Sequence, residues 1–147
     1  MQLNLKTDFS LRLLLFLATY PEEIVPVGRV AEAFGISAHH LSKVARALAE
    51  LGVIEMVRGR AGGVRLAMAP GKIQVGDIVR RIESDSTAPL VECFDGSNNT
   101  CVISPACALK GVLRKALNAF LAVLDGYSLA DLTRNADALR RILDRHS

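Results

Sequence analysis

A mainly α-helical fold with one small β-hairpin, a winged helix-turn-helix continued by a long dimerisation helix, is what three stretches of this chain predict. Residues 27–51 hold two helical patterns separated by the tight Gly35-Ile36-Ser37 turn, the spacing of a helix-turn-helix. Residues 53–68 read as two short strands around a basic, glycine-rich tip. Residues 105–125 then repeat apolar side chains at helical spacing for roughly six turns.

Taken in order, Thr7 is the expected cap of a first helix starting near Asp8, whose carboxylate suits the positive helix end. Phe9, Leu13, Phe16, Leu17 and Tyr20 share one side of it, but Leu11, Leu14 and Leu15 are apolar too. A helix apolar on most sides should be buried between neighbours, and Pro21 ends it.

After a connection from Pro21 to Pro26, Val27 to Phe34 reads as a short helix stopped by Gly35, and Ser37 should cap the next. There Leu41, Val44, Ala45, Leu48 and Leu51 form a core stripe, which leaves Ser37, His39, His40, Ser42, Lys43 and Arg46 for other faces. An ordinary amphipathic surface helix shows the same stripe. The neighbouring hairpin decides for a recognition helix, whose short and hydrogen-bonding early side chains can enter a major groove and reach base edges.

Gly52 ends that helix. Val53 to Val57 and Val64 to Met68 are the predicted strands, joined by Arg58-Gly59-Arg60-Ala61-Gly62-Gly63. A turn alone explains the glycines, whereas Arg58, Arg60 and Arg65 suit phosphate contact or minor-groove insertion. The tip is not a nucleotide-binding P-loop, because no Gly-Lys-Ser/Thr ending is present and a strand follows it. Beyond Pro70-Gly71, Val75, Ile78, Val79 and Ile82 form a short amphipathic helix that closes a DNA-binding domain spanning residues 1–83.

Residues 84–147 form the second predicted region, a cysteine-bearing loop and helices for dimerisation. Ser84 to Pro89 reads as a linker. All three cysteines of the chain then fall within Cys93 to Cys107, spaced C-x7-C-x5-C. Between them, Asp95-Gly96-Ser97-Asn98-Asn99 and Ser104-Pro105 favour turns, so the backbone should curl around something. An odd thiol count fits a disulfide framework poorly. Structural zinc prefers closely spaced cysteine pairs, while longer gaps leave room for an iron–sulfur cluster; either needs a fourth ligand from elsewhere.

From Pro105 a helix should run to about Asp125, with Leu109, Leu113, Ala116, Phe120 and Val123 on one seam and Val112, Leu117, Leu121 and Leu124 beside it. One side can pack on the chain's own domain and the other on a second copy, giving a homodimer. Gly126 ends the helix and Ser128 should cap a last helical region, interrupted around Asn135 to Asp137.

Composition sets the outer limits. Half the residues are apolar, enough for a core. The longest apolar run, Leu13 to Ala18, is far shorter than a membrane span. No secretory signal is expected, since Lys6, Asp8 and Arg12 interrupt the N-terminal apolar run, and a reducing, cytoplasmic setting follows. The net charge of +3 lies wholly within residues 1–83, a modest bias toward a nucleic-acid partner.

Thr7-Asp8-Phe9 with Leu11-Arg12, Ser37, His40 and Lys43, Gly59 with Gly62-Gly63-Val64-Arg65-Leu66, and Asn99-Thr100-Cys101 through Pro105-Ala106-Cys107-Ala108-Leu109-Lys110 carry a family resemblance. Over nearly its full length the chain resembles the NsrR branch of the Rrf regulators, bacterial winged-helix repressors whose iron–sulfur cluster senses nitric oxide. The resemblance implies a [4Fe-4S] cluster held by Cys93, Cys101 and Cys107 together with Asp8 of the partner subunit. It also implies a homodimer on a pseudo-palindromic double-stranded DNA operator, released when nitric oxide nitrosylates or removes the cluster. The iron–sulfur-assembly branch of the family uses a histidine three residues after its last cysteine, where this chain has Lys110.

Arg12, one turn beyond Asp8, would either offset part of the cluster's charge or stand as a salt-bridged surface residue. The alternatives to the main reading are a [2Fe-2S] cluster, a regulator of the same family sensing redox or iron status, and structural zinc. An enzyme is not expected: His39 and His40 lie on the proposed DNA face, away from any base–nucleophile constellation.

Overall fold

In the computed structural model, which describes residues 3–84 and 89–146, the first helix, α1, spans Leu5–Thr19 and is capped by Asn4 instead of Thr7. Asn4 Oδ1 accepts the Thr7 amide at 2.7 Å. The Thr7 hydroxyl is engaged elsewhere, donating to Glu83 Oε1 at 2.5 Å, and Asn4 N donates to the same oxygen at 3.0 Å. A threonine committed to a partner 76 positions away leaves the cap to the other Asx or hydroxyl residue in reach. As expected of a helix apolar all round, α1 is central: Leu13, Leu14, Phe16 and Leu17 are buried among the other helices.

The helix-turn-helix follows with the predicted boundaries. Helix α2 spans Val27–Phe34 and stops at Gly35, whose left-handed φ of 62° suits a residue without Cβ. The Ile36 amide then closes on the Ala31 carbonyl at 2.9 Å. Helix α3 spans Ala38–Glu50; Ser37 occupies the cap position but makes no side-chain cap bond. Leu41, Val44, Ala45 and Leu48 bury the expected stripe, and Gly52, at φ 72°, turns the chain into the hairpin.

Strands β1 (Ile54–Val57) and β2 (Gly63–Leu66) pair antiparallel with Met56 opposite Val64 and Val57 opposite Gly63. A third backbone segment, absent from the sequence reading, completes the wing. Val25 pairs with Val64 through hydrogen bonds of 2.9 and 2.8 Å. A Cβ on Gly63 would strike the Val25 carbonyl, so glycine is what lets the front of α2 approach the wing.

Helix α4 (Val75–Glu83) buries Val75, Ile78, Val79 and Ile82, and α5 runs from Ala108 to Asp125. Residues 85–88, most of the predicted linker, lie outside the described residues. The chain after α5 turns back onto α4 and α1. Val75 N donates to Tyr127 O at 3.0 Å and Leu129 N to Ile73 O at 3.0 Å, and Arg80 pairs with Asp125. Helix α6 (Leu129–Leu132) begins with a full capping box between Ser128 and Asp131, and α7 spans Ala136–Leu143, so the break falls at Thr133 to Asn135, slightly earlier than the expected Asn135 to Asp137, with Ala136 and Asp137 already helical. Leu129 and Leu143 join the core around α1, and Arg140 Nε donates to the Thr19 carbonyl at the end of α1.

Candidate nucleic-acid interface and cysteine loop

The buried stripe of α3 sets which residues face outward. Ser37, His39, His40, Ser42, Lys43 and Arg46 are all exposed, as a recognition helix requires. The Ser42 hydroxyl donates to the Ala38 carbonyl at 2.7 Å, so it faces a partner only as an acceptor. On the wing, Gly59 adopts φ 107° and the Gly62 amide closes a turn on the Gly59 carbonyl at 3.0 Å, leaving Arg58 and Arg60 exposed at the tip. Arg65 stands differently. Its guanidinium pairs with Glu55, directly opposite in the ladder, at 2.9 Å from Nε and 2.8 Å from Nη2, so much of its charge is already balanced.

The loop carrying the cysteines is stitched by its own polar residues. The Asp95 carboxylate accepts from Ser97 N and Oγ, at 2.9 and 2.7 Å, and from Asn98 N and Nδ2, at 3.2 and 3.0 Å. These bonds, the Ser97 hydroxyl foremost, favour its charged form and bring its pKa down to about 2. Glu92 Oε1 accepts the Thr100 amide at 2.5 Å and the Thr100 hydroxyl at 2.6 Å, which also lowers its pKa. Because Glu92 adjoins Cys93 and Thr100 adjoins Cys101, this clip brings the backbone around the first two cysteines together.

Two cations on α5 hold the loop to the helix. Arg114 lies over the Phe94 ring at 4.1 Å from its centroid, and Lys110 Nζ donates to Ser104 Oγ at 3.3 Å. Sequence reasoning missed both roles, although an aromatic beside one cysteine and basic residues at i and i+4 on the following helix were the available signal. Cys107 is the N-cap residue of α5, the residue at the positive end of that helix, and its side chain makes no cap bond.

The three thiols are free and half-buried, a soft donor set that fits an iron–sulfur centre. Among the described residues, however, no group of three or more His, Cys, Asp or Glu side chains is arranged to hold a metal ion. Within one chain, then, the loop brings its thiols into one segment without gathering them. Asp8 does not join them. Its carboxylate pairs with Arg12 one turn on, at 2.8 Å from Nη2 and 3.1 Å from Nε, so Arg12 is a salt-bridged residue here, with Asp8 40% exposed.

The fold and the exposed basic faces define a winged-helix DNA-binding regulator. A family profile described as "Rrf2: Iron-dependent Transcriptional regulator" matches residues 3–135, and the chain belongs to that family. It is 49% identical over 144 residues to the HTH-type transcriptional regulator NsrR of Bacillus subtilis (strain 168), covering 97% of each chain. The NsrR of Geobacillus kaustophilus (strain HTA426) is likewise 49% identical, again over 97% of both. Among solved structures, T. potens IscR superposes with a TM-score of 0.73 at 27% identity, covering 92% of this chain and 88% of that one. The oxidized form of Staphylococcus aureus CymR matches with a TM-score of 0.73 at 25% identity, over 91% and 97%. The two NsrR relatives are named as transcriptional regulators, and the chain is a transcriptional regulator and not an enzyme. No helix among the described residues is long and apolar enough to cross a membrane.

Proposed function

We propose that this chain is a cytoplasmic, homodimeric repressor that senses nitric oxide through a [4Fe-4S] cluster held by Cys93, Cys101, Cys107 and Asp8 of the partner subunit. The observation that supports it best is the loop itself: three free, half-buried thiols on one segment fastened to the first turns of α5. When bound, the cluster supplies an iron whose carboxylate ligand is weaker than a thiolate, and so stays open to a small molecule.

The chain's own residues do the rest. Asp8, on α1, lies under the DNA-binding helices, and the cysteines precede the helix proposed for dimerisation, so a bond between them sets the angle of one winged domain to the other. Freed of that bond, Asp8 has Arg12 at hand as an intrachain partner. Ser37, His39, His40, Ser42, Lys43 and Arg46 face bases and phosphates of a pseudo-palindromic duplex, with Arg58 and Arg60 tracking the backbone at the wing and Arg65 the weakest contributor because of Glu55. Moving such a dimer from mostly bound to mostly free needs about 5.5 kcal/mol between the two states, the combined task of a lost ligand and re-aimed recognition helices.

Cysteine substitution tests the reading. Each of Cys93→Ala, Cys101→Ala and Cys107→Ala, purified anaerobically, should lose visible absorbance, iron and acid-labile sulfide, and bind DNA at least tenfold more weakly. Zinc in place of iron and sulfide, or a colourless variant with undiminished DNA binding, contradicts it.

A further inference from the structure

A pocket of about 280 Å³ opens between the start of α1 and the recognition helix, lined by Leu5, Phe9 and Val44 with Lys6, His40 and Lys43. Its base is apolar, and two lysines contribute positive charge. The chain offers a matching shape elsewhere. Val102 and Ile103, between the second and third cysteines, are 92% and 63% exposed, and no packing among the described residues accounts for an adjacent Val-Ile pair held out on a turn. The loop around them, residues 89–107, carries only Glu92 and Asp95 as charged residues, so it is acidic where the pocket is basic.

We propose that the Val102-Ile103 tip of one protomer seats in the partner's pocket between α1 and α3. This rests on the reading that the chain dimerises with Asp8 turned toward the partner's cysteine loop, and it extends that reading to an apolar contact. Leu5 and Phe9 lie three residues before and one after Asp8, so a loop that reaches the carboxylate arrives beside the pocket mouth. The small apolar tip then fills an apolar base, and Glu92 and Asp95 come to the side of the exposed Lys43. Lys43 and His40 line the pocket and also face DNA. Order in the cysteine loop is thereby transmitted to the recognition helix by packing, in addition to any bond made by Asp8.

Photocrosslinking in the full-length, anaerobically purified protein tests this. With p-benzoylphenylalanine at position 103 and dimers mixed from light and heavy isotope-labelled chains, irradiation should give intersubunit adducts on residues 5–9 or 40–44. Adducts elsewhere, or only within one chain, in a protein that sediments as a dimer overturn the seating alone. A chain that sediments as a monomer at all concentrations overturns the dimer reading beneath it as well. Ile103→Ser and Leu5→Ser, both at exposed positions, should each weaken dimerisation by roughly three- to tenfold, with the double variant no worse than either; fully additive losses would count against contact between the two sites.

Discussion

Lys43 and Arg60 are exposed on α3 and the wing tip, whereas Arg65 is held by Glu55. If the first two touch phosphate, Lys43→Ala and Arg60→Ala should each weaken DNA binding and lower its salt dependence by about one counterion, while Arg65→Ala should change the slope less. Affinity measured across a salt series distinguishes them. A second residue-scale consequence lies far from DNA. Burial and then the 2.6 Å bond to Asp144 Oδ1 push the Tyr20 phenol up to about 12. The folded state keeps this proton where the unfolded chain, at about 10, has released it, so the contribution is intact below pH 10 and is lost between 10 and 12. Tyr20→Phe should cost about 1 kcal/mol at pH 8, and that deficit should shrink as pH rises from 10 toward 12, read from denaturant unfolding. A constant deficit across that range would contradict the assignment. None of this was legible in the sequence, where Tyr20 and Asp144 stand 124 positions apart. Thr7 shows the same limit: its side chain suits a cap, and only the distant Glu83 explains why Asn4 takes that place.

At the scale of elements, periodicity carried well. The α3 stripe, the Gly35 stop and the Ser128 cap were readable because each depends on neighbours within a turn of helix. The Val25–Val64 pairing was not, since a single bridging residue has no period to detect. Helix α5 shows what periodicity can and cannot say. Its apolar residues are divided into two sets: Leu113, Leu117, Phe120, Leu121 and Leu124 are half-buried, and Leu109, Val112, Ala116, Ala119 and Val123 stay exposed at the alternating three- and four-residue spacing of a coiled-coil seam. The sequence seam mixed the two sets, because which face meets the chain's own α4 depends on the Arg80–Asp125 pair and on the close approach at Gly76, where a Cβ would meet Asp125. The exposed set is the surface proposed for the second copy. Val112→Glu and Val123→Glu should therefore shift the protein toward monomer in sedimentation with helical content unchanged; a dimer of undiminished strength would move the interface elsewhere.

Across the whole molecule, the distribution of parts matters more than any one of them. The recognition helix and wing are built on α1, α6 and α7 return to that same helix, and α5 stands out with its apolar seam uncovered and the cysteine loop at its base. Such a layout suits two-fold pairing, with each loop free to meet the other chain's α1. From the residues alone, three thiols on one short segment were legible; Asp8 was singled out only by resemblance, because a contact proposed between chains leaves no local trace in one sequence. In the proposed mechanism an iron–sulfur centre shared between subunits holds the DNA-binding form. Its most direct test is a stepwise anaerobic titration with nitric oxide, following visible absorbance and binding to a duplex selected by the protein from a random pool in the same samples. Absorbance should bleach and DNA be released together, over the same range of added nitric oxide. DNA affinity unchanged after complete bleaching, or protein without iron that binds the duplex as tightly, would contradict it.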